Sequence, residues 1–193
     1  MTLTEKVKSV EEVFQNLSTE IATFQDWSGL KCNTGCGKCC IKADISATVL
    51  EFLPLAFHLY KEKRAEEFYD KVKSSSSAFC AGLDQGRLGG MCSIYLHRGL
   101  ICRLFGFSAR LNKYGKTEML TCNVIKTEQT TPYQQAMVVV GVGERTIPIM
   151  ARYYMQLMAI DSDLNRTAYP INIAIKKALE VVMHYYAYRD SQD

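Results

Sequence analysis

The chain has 193 residues, 48% hydrophobic and 22% charged, enough to bury one sizeable core without relying on crosslinks. A formal net charge of +3, with no basic tail and no long block of one sign, excludes nucleic-acid binding as an inference from charge. Met1 to Glu12 mixes charges at short intervals, and no stretch has the apolar length of a signal peptide or a membrane span. We therefore expect no membrane association, and a soluble cytoplasmic protein whose eight cysteines stay reduced unless ligated.

Val7, Val10, Phe14, Leu17, Ile21 and Phe24 recur at alternating intervals of three and four, which places them on one stripe of a helix. Thr2 with Glu5 offers a capping box at its start, and Trp27-Ser28-Gly29 offers its exit. The heptad run is too short for a coiled coil, so the stripe is assigned to an intramolecular core. After a dense cysteine segment, Thr48 and Glu51 are spaced to cap a second helix through Leu50, Leu53, Phe57 and Tyr60, with Pro54 in its first turn. The charged stretch from Lys61 to Tyr69 continues or restarts helix, and the serines at 74–77 end it in a surface turn.

Gly82, Gly86, Gly89, Gly90, Gly99, Gly106 and Gly115 then punctuate short apolar alternations around Ser93-Ile94-Tyr95-Leu96 and Ile101-Cys102-Arg103-Leu104-Phe105. That texture predicts turns and short strands rather than helix. Beyond Thr131-Pro132 the pattern is helical again, with Ile149, Tyr153, Gln156 and Leu157 in one segment. Pro170 suits the first helical position ahead of Ile171, Ile175, Leu179, Val182 and Tyr186. The expected fold is mainly α: a single helical domain over 1–193, in which segments 1–31 and 131–193 pack around an irregular, short-strand-containing cysteine region at 32–122.

The chemistry is concentrated in Cys32-x3-Cys36-x2-Cys39-Cys40 and in Cys80, Cys92, Cys102 and Cys122. Thiolate is a strong ligand for zinc and for iron or iron–sulfur centres, and these eight thiols would complete two four-sulfur sites. All eight are candidate metal ligands. The short spacing of the first four lowers the loop-closure cost of assembling them, and Gly35 and Gly37 ease the turn. Neighbouring side chains diverge, so Cys39 and Cys40 are expected to serve different metals or to bridge one cluster. Two or more metal ions, zinc or iron, are therefore favoured, an iron–sulfur cluster among the possibilities. Eight thiolates around two zinc ions carry a net charge of roughly −4, which needs compensation. Lys31, Lys38, Lys42, Arg98 and Arg103 are the nearby candidates, with Arg103 placed ahead of the lysines.

At these residues the chain resembles the zinc- or iron-chelating domain family, the YkgJ-like cysteine-cluster proteins. The resemblance runs from about Cys32 to Cys122. The family's first motif falls on Cys32, Cys36, Cys39 and Cys40, and its second on Cys92-Ser93-Ile94-Tyr95, Arg98-Gly99 and Cys102-Arg103-Leu104-Phe105, with Cys80 and Cys122 outlying. Gly99 stands where the family usually has proline. The resemblance implies a chelated metal but no settled reaction. Through the cysteine knot it extends to flagellin lysine methylases with an iron–sulfur centre.

Two functions are in view. One is a metal-binding protein whose centre is structural and which presents a surface to a protein partner of unknown identity. The other is an iron–sulfur protein in electron transfer or S-adenosylmethionine-dependent lysine methylation, since Cys32, Cys36 and Cys39 have the spacing of radical S-adenosylmethionine enzymes. Against the second, the chain continues into charged helices, and Lys38 stands where those motifs usually have an aromatic. A non-enzymatic role is favoured, and no catalytic residue is assigned. Gly141 to Arg145 is read as an interhelical turn, and Asp161 and Asp163 as a turn or cap. His58, His97 and His184 are read as isolated, with only His97 worth considering as a ligand. Tyr185, Tyr186 and Tyr188 are assigned to core packing.

Overall fold

In the computed structural model, which describes residues 1–33, 36–75, 77–84, 86 and 91–190, helix α1 spans Leu3–Ser28. It starts on the expected reciprocal cap. The Thr2 amide donates to the Glu5 carboxylate at 2.7 Å, and the Glu5 amide donates to the Thr2 hydroxyl at 3.3 Å. It stops at Gly29, whose φ of 71° is a left-handed conformation that glycine adopts without strain. The apolar stripe is buried, with Val10, Leu17 and Phe24 fully enclosed.

Strand β1 (Ser46–Thr48) leads through a 3-10 turn, Leu50–Phe52, into α2 (Leu53–Lys61). The chain breaks at Lys63, with φ at 58°, and restarts as α3, Ala65–Ser74. The middle holds two-residue strands β2 (Leu83–Asp84) and β3 (Met91–Cys92), a 3-10 turn at Tyr95–His97, and α4, Leu100–Leu104. A hairpin follows, β4 (Ser108–Leu111) with β5 (Thr117–Leu120), and then α5 (Asn123–Glu128), α6 (Thr130–Gly141), α7 (Met150–Ile160) and α8 (Ser162–Arg166). Strand β6 (Ala168–Pro170) pairs antiparallel with β1, Ala47 opposite Tyr169, before α9, Ile171–Asp190. The protein is thus mainly α, with short strands in small sheets.

Helix α9 packs on α2 and α3, and α1 packs on α2 and α7. Their apolar faces form the larger buried cluster, which also takes in Cys40, Cys80 and Cys92. A smaller cluster gathers Phe24, Leu30, Phe107, Ile125, Val140 and Ile147, and Ile21 packs against both. Among the described residues no helix is long and apolar enough to cross a membrane.

Several expectations need correcting. Leu100 to Leu104 is helix, because Leu100 and Leu104 are both fully buried one turn apart and their helix start is capped from afar. The carboxylate of Glu51 accepts the Ile101 amide at 2.7 Å. Only half of the box at Thr48 and Glu51 forms: the Thr48 amide donates to Glu51 at 2.9 Å, while the Thr48 hydroxyl turns to Asn165 Oδ1 at 2.8 Å. Pro170 closes β6, one residue ahead of the first helical position. Asp161 does cap α8, and α6 ends at Gly141 in a turn with Gly143 at φ 80°. Tyr186 stacks on Tyr60 at 4.5 Å between centroids, but Tyr188 is exposed, so the aromatic tail is split. Gly35, Gly89, Gly90 and Ser76, read above as turn residues, lie outside the described residues.

Gly99 gives a direct packing test. Its φ of −63° is one that proline has, yet a Cβ there would lie 2.9 Å from Cζ of the fully buried Phe52. Gly99→Ala should therefore cost about 1–3 kcal/mol in urea unfolding. Trimming the ring with Phe52→Leu should restore part of that loss in the double variant. Additive losses would show that the close approach does not matter.

Candidate metal centre

The eight thiols reach the middle of the fold on separate supports. The knot enters where Leu30 is buried and the main chain of Lys31 is held on both sides by the side chain of Gln129, at 3.0 and 2.6 Å. Asn33 donates to Glu128 at 2.7 Å, fastening the same end to α5. The Cys36 amide donates to the Asn33 carbonyl, and a turn at residues 38–41 puts the Cys40 amide on the Gly37 carbonyl. The Cys80 amide donates to the Cys40 carbonyl at 2.9 Å, so the knot is tied by backbone to the segment after α3.

That segment is clamped by Asn172 at the start of α9, which accepts from the Ala81 amide and donates to the Phe79 carbonyl, both at 2.8 Å. Cys92 lies on β3 opposite Leu83, and the hairpin closes over Gly82, where a Cβ would fall 2.6 Å from Ile94. Cys102 is carried by α4, whose first turn Glu51 holds. Cys122 caps α5, its sulfur accepting the Ile125 amide at 3.5 Å.

These supports place the sulfurs around two adjoining cavities. The inner one, of 220 Å³, is lined by Cys39, Cys40, Cys80, Cys92 and Cys102, with Ile45, Ile94 and Ile171 among its apolar walls. The outer one, of 520 Å³, is lined by Cys32, Cys36, Cys39, Cys92, Cys102 and Cys122. Every one of the eight predicted ligands thus faces a cavity, and three face both. All eight are unbridged; Cys40, Cys80 and Cys92 are buried, while Cys32 is exposed.

Hydrogen bonds and charge divide the thiols further. The Cys40 thiol is pushed strongly up, first by its contact with Cys39 and then by those with Cys80 and Cys92. Those three sulfurs are each held below the usual thiol range mainly by that contact. Burial pushes Cys102 well up, with Cys80 and Glu51 adding to it. Cys32 is raised by desolvation and then by Cys36, Cys39 and Cys122, its neighbours across the outer cavity. The two groupings share Cys39.

The positive charge is arranged differently from the sequence expectation. Arg98 lines both cavities, adds to the lowering of Cys39 and Cys92 and opposes the rise of Cys32 and Cys102. Arg103 is a clamp: it donates to the carbonyls of Arg98 at 2.9 Å and Leu96 at 2.7 Å and lies over the Phe14 ring. Burial first, and Arg98 second, pull its guanidinium down to about 10. Lys31, Lys38 and Lys42 line the outer cavity.

His97 is not isolated. Its ring stacks on that of His58 at 3.8 Å, and it lines neither thiol cavity. Sequence reasoning gave Glu51 only a capping role, whereas it is fully buried and hydrogen-bonded to Thr48, Ile101 and Tyr154. Spacing alone gave no sign that Glu51 and α4 would meet.

Among the described residues no three Cys, His, Asp or Glu side chains are already drawn together closely enough to hold a metal ion. Cys40 has Cys39, Cys80 and Cys92 as neighbours, and the eight cysteines line the two cavities between them. Their chemistry nonetheless fits zinc or iron: sulfur donors in quantity, one thiol with three sulfur neighbours, and Arg98 against both groups.

No curated protein and no solved structure matched the chain. The family model described as "Putative zinc- or iron-chelating domain" matches residues 31–131, which is 101 of the 193 residues and includes every cysteine. The chain belongs to this zinc- or iron-chelating domain family.

Proposed function

We propose that the protein uses its eight thiolates to hold two zinc or iron ions, or one multinuclear centre, that organise the middle of the fold. The observation that carries this reading is the convergence of all eight sulfurs on two adjoining cavities. Cys40, Cys80 and Cys92, joined by Cys102, would hold the inner metal. Cys32, Cys36 and Cys122, joined by Cys39, would hold the outer one. A metal so held supplies crosslinks between α4, α5, β3 and the segments that follow α1 and α3. The excess thiolate charge would fall on Arg98, which Arg103 keeps in place through the main chain. A reducing compartment such as the cytoplasm suits unbridged thiols.

A second reading has its own support. Cys32, Cys36 and Cys39 all line the outer cavity, whereas Cys40 lines only the inner. Three thiolates on one cluster would leave an iron open to a small molecule, as redox or methyl-transfer chemistry requires. Anaerobic isolation followed by elemental analysis for zinc, iron and inorganic sulfide and an absorption spectrum identifies the metal, and binding of S-adenosylmethionine to it, seen as a change in the spectrum, separates the open cluster from the closed site. Zinc bound by sulfur gives a colourless protein; an iron–sulfur centre gives a brown one that bleaches on reduction. Protein that carries neither metal, and whose folding is indifferent to chelators, would end both readings.

A further inference from the structure

The outer cavity is far larger than a bare ion requires. Its 520 Å³ falls within the range of small-molecule pockets, and it adjoins the inner cavity through Cys39, Cys92 and Cys102. Its lining is also charged in one sense. Among the described residues Lys31, Lys38, Lys42, Arg98 and Arg103 stand against the single carboxylate of Asp26. None of the five makes an ion pair with a carboxylate of the described residues. Arg98 and Arg103 are spent on main-chain carbonyls and aromatic faces, which fix their positions without cancelling their charge.

A hydrated divalent cation approaching this wall meets like charge. A metal already wrapped in a polycarboxylate carries net negative charge and is drawn in. From this we infer that the outer cavity is a receiving site for a divalent metal carried on a small polyanionic chelator of the citrate class. The inference rests on the metal-binding reading above and adds the form in which the metal arrives.

The transfer is a ligand exchange without redox change. Each metal–oxygen bond to the chelator breaks as a metal–sulfur bond forms, the thiol proton passes to solvent, and the metal keeps its oxidation state. The thiolates formed then neutralise the basic wall, which removes the hold on the departing polyanion. Exposure is graded along the same route, from Cys32 at the surface to the buried Cys40 and Cys80.

The test uses the full chain, stripped of metal, and cobalt(II), whose thiolate complexes absorb strongly in the near ultraviolet. Rapid mixing follows that band with cobalt supplied either as its citrate complex or as the aqua ion. Lys31→Glu combined with Lys42→Glu should slow delivery from citrate by about tenfold or more at low salt, the scale of electrostatic steering into a charged cleft. Delivery from the aqua ion should be unchanged or faster, and the final cobalt content should equal that of the unmodified protein. Lys8→Glu with Lys113→Glu makes the same change in net charge at positions that line neither cavity, and should leave both rates nearly unaltered.

If the paired variant folds poorly, the unmodified protein still decides the matter. Its rate from citrate should fall as ionic strength rises, and its rate from the aqua ion should not. Equal slowing of both deliveries, or no slowing of either, overturns the receiving site while leaving the metal centre standing. Absence of any cysteine-dependent cobalt band from either source would overturn the metal-binding reading itself.

Discussion

Cys80→Ser should abolish the inner metal and unfold most of the protein near physiological temperature, while Cys36→Ser should lose about half of the bound metal and keep the helical core. The difference follows from placement. Cys80 is buried in the larger apolar cluster, its amide holds the Cys40 carbonyl, and its sulfur lies beside Cys40 in the inner cavity. Cys36 lines only the outer cavity and belongs to neither buried cluster. A structural zinc site contributes on the order of 10 kcal/mol of apparent binding energy in small peptides, comparable with the whole stability of a domain. Elemental analysis and thermal melts of both variants, with Ser75→Ala as a neutral control, measure the contrast. Unchanged stoichiometry in both cysteine variants would mean that these are buried thiols rather than ligands.

Glu51 should make stability fall as pH rises from about 4.5 to about 7. Full burial raises its carboxyl to about 7, against the pull of the Ile101 and Thr48 amides, the Thr48 hydroxyl and Tyr154. Below the unfolded value both states hold the proton, so the contribution is fully present there. Between the two values the unfolded chain releases the proton and the folded chain keeps it, and stability declines by on the order of 3 kcal/mol before levelling. Glu51→Gln cannot titrate and keeps one acceptor oxygen for the two amide donors, so it should be the weaker protein in acid and recover relative to the parent towards neutrality. Taking the difference between parent and variant in urea unfolding across this range removes the pH dependence of the metal, which acts on both. Parallel curves would show that the carboxyl does not titrate in this window.

What could be read from the sequence was local. The stripe from Val7 to Phe24, the box at Thr2 and Glu5, and the stop at Gly29 are within a few residues of one another, so spacing sufficed for α1. The family and the mainly α architecture were legible for the same reason, since both cysteine motifs are short. Helix α4 was not, because one turn of Leu100 and Leu104 carries almost no periodicity and its cap comes from Glu51, far back in the chain. The stacking of His58 on His97 is equally non-local. Among the basic residues, proximity to Cys102 favoured Arg103, but its reach is taken up by the carbonyls of Leu96 and Arg98. The neighbour it fixes is the one that faces the sulfurs.

The wall of the inner cavity supplied by α9 sets an order of events during synthesis. Ile171 lines that cavity and donates to the Ile45 carbonyl at 3.0 Å, and Asn172 grips the main chain on either side of Cys80. When Cys122 is translated all eight thiols exist, but Ile171 and Asn172 are still about fifty codons away. The nascent chain therefore passes through a stage with a full set of thiols and the α9 side of the inner cavity open to oxidants and to stray metal alike. Completion of α9 ends that stage by closing the apolar side.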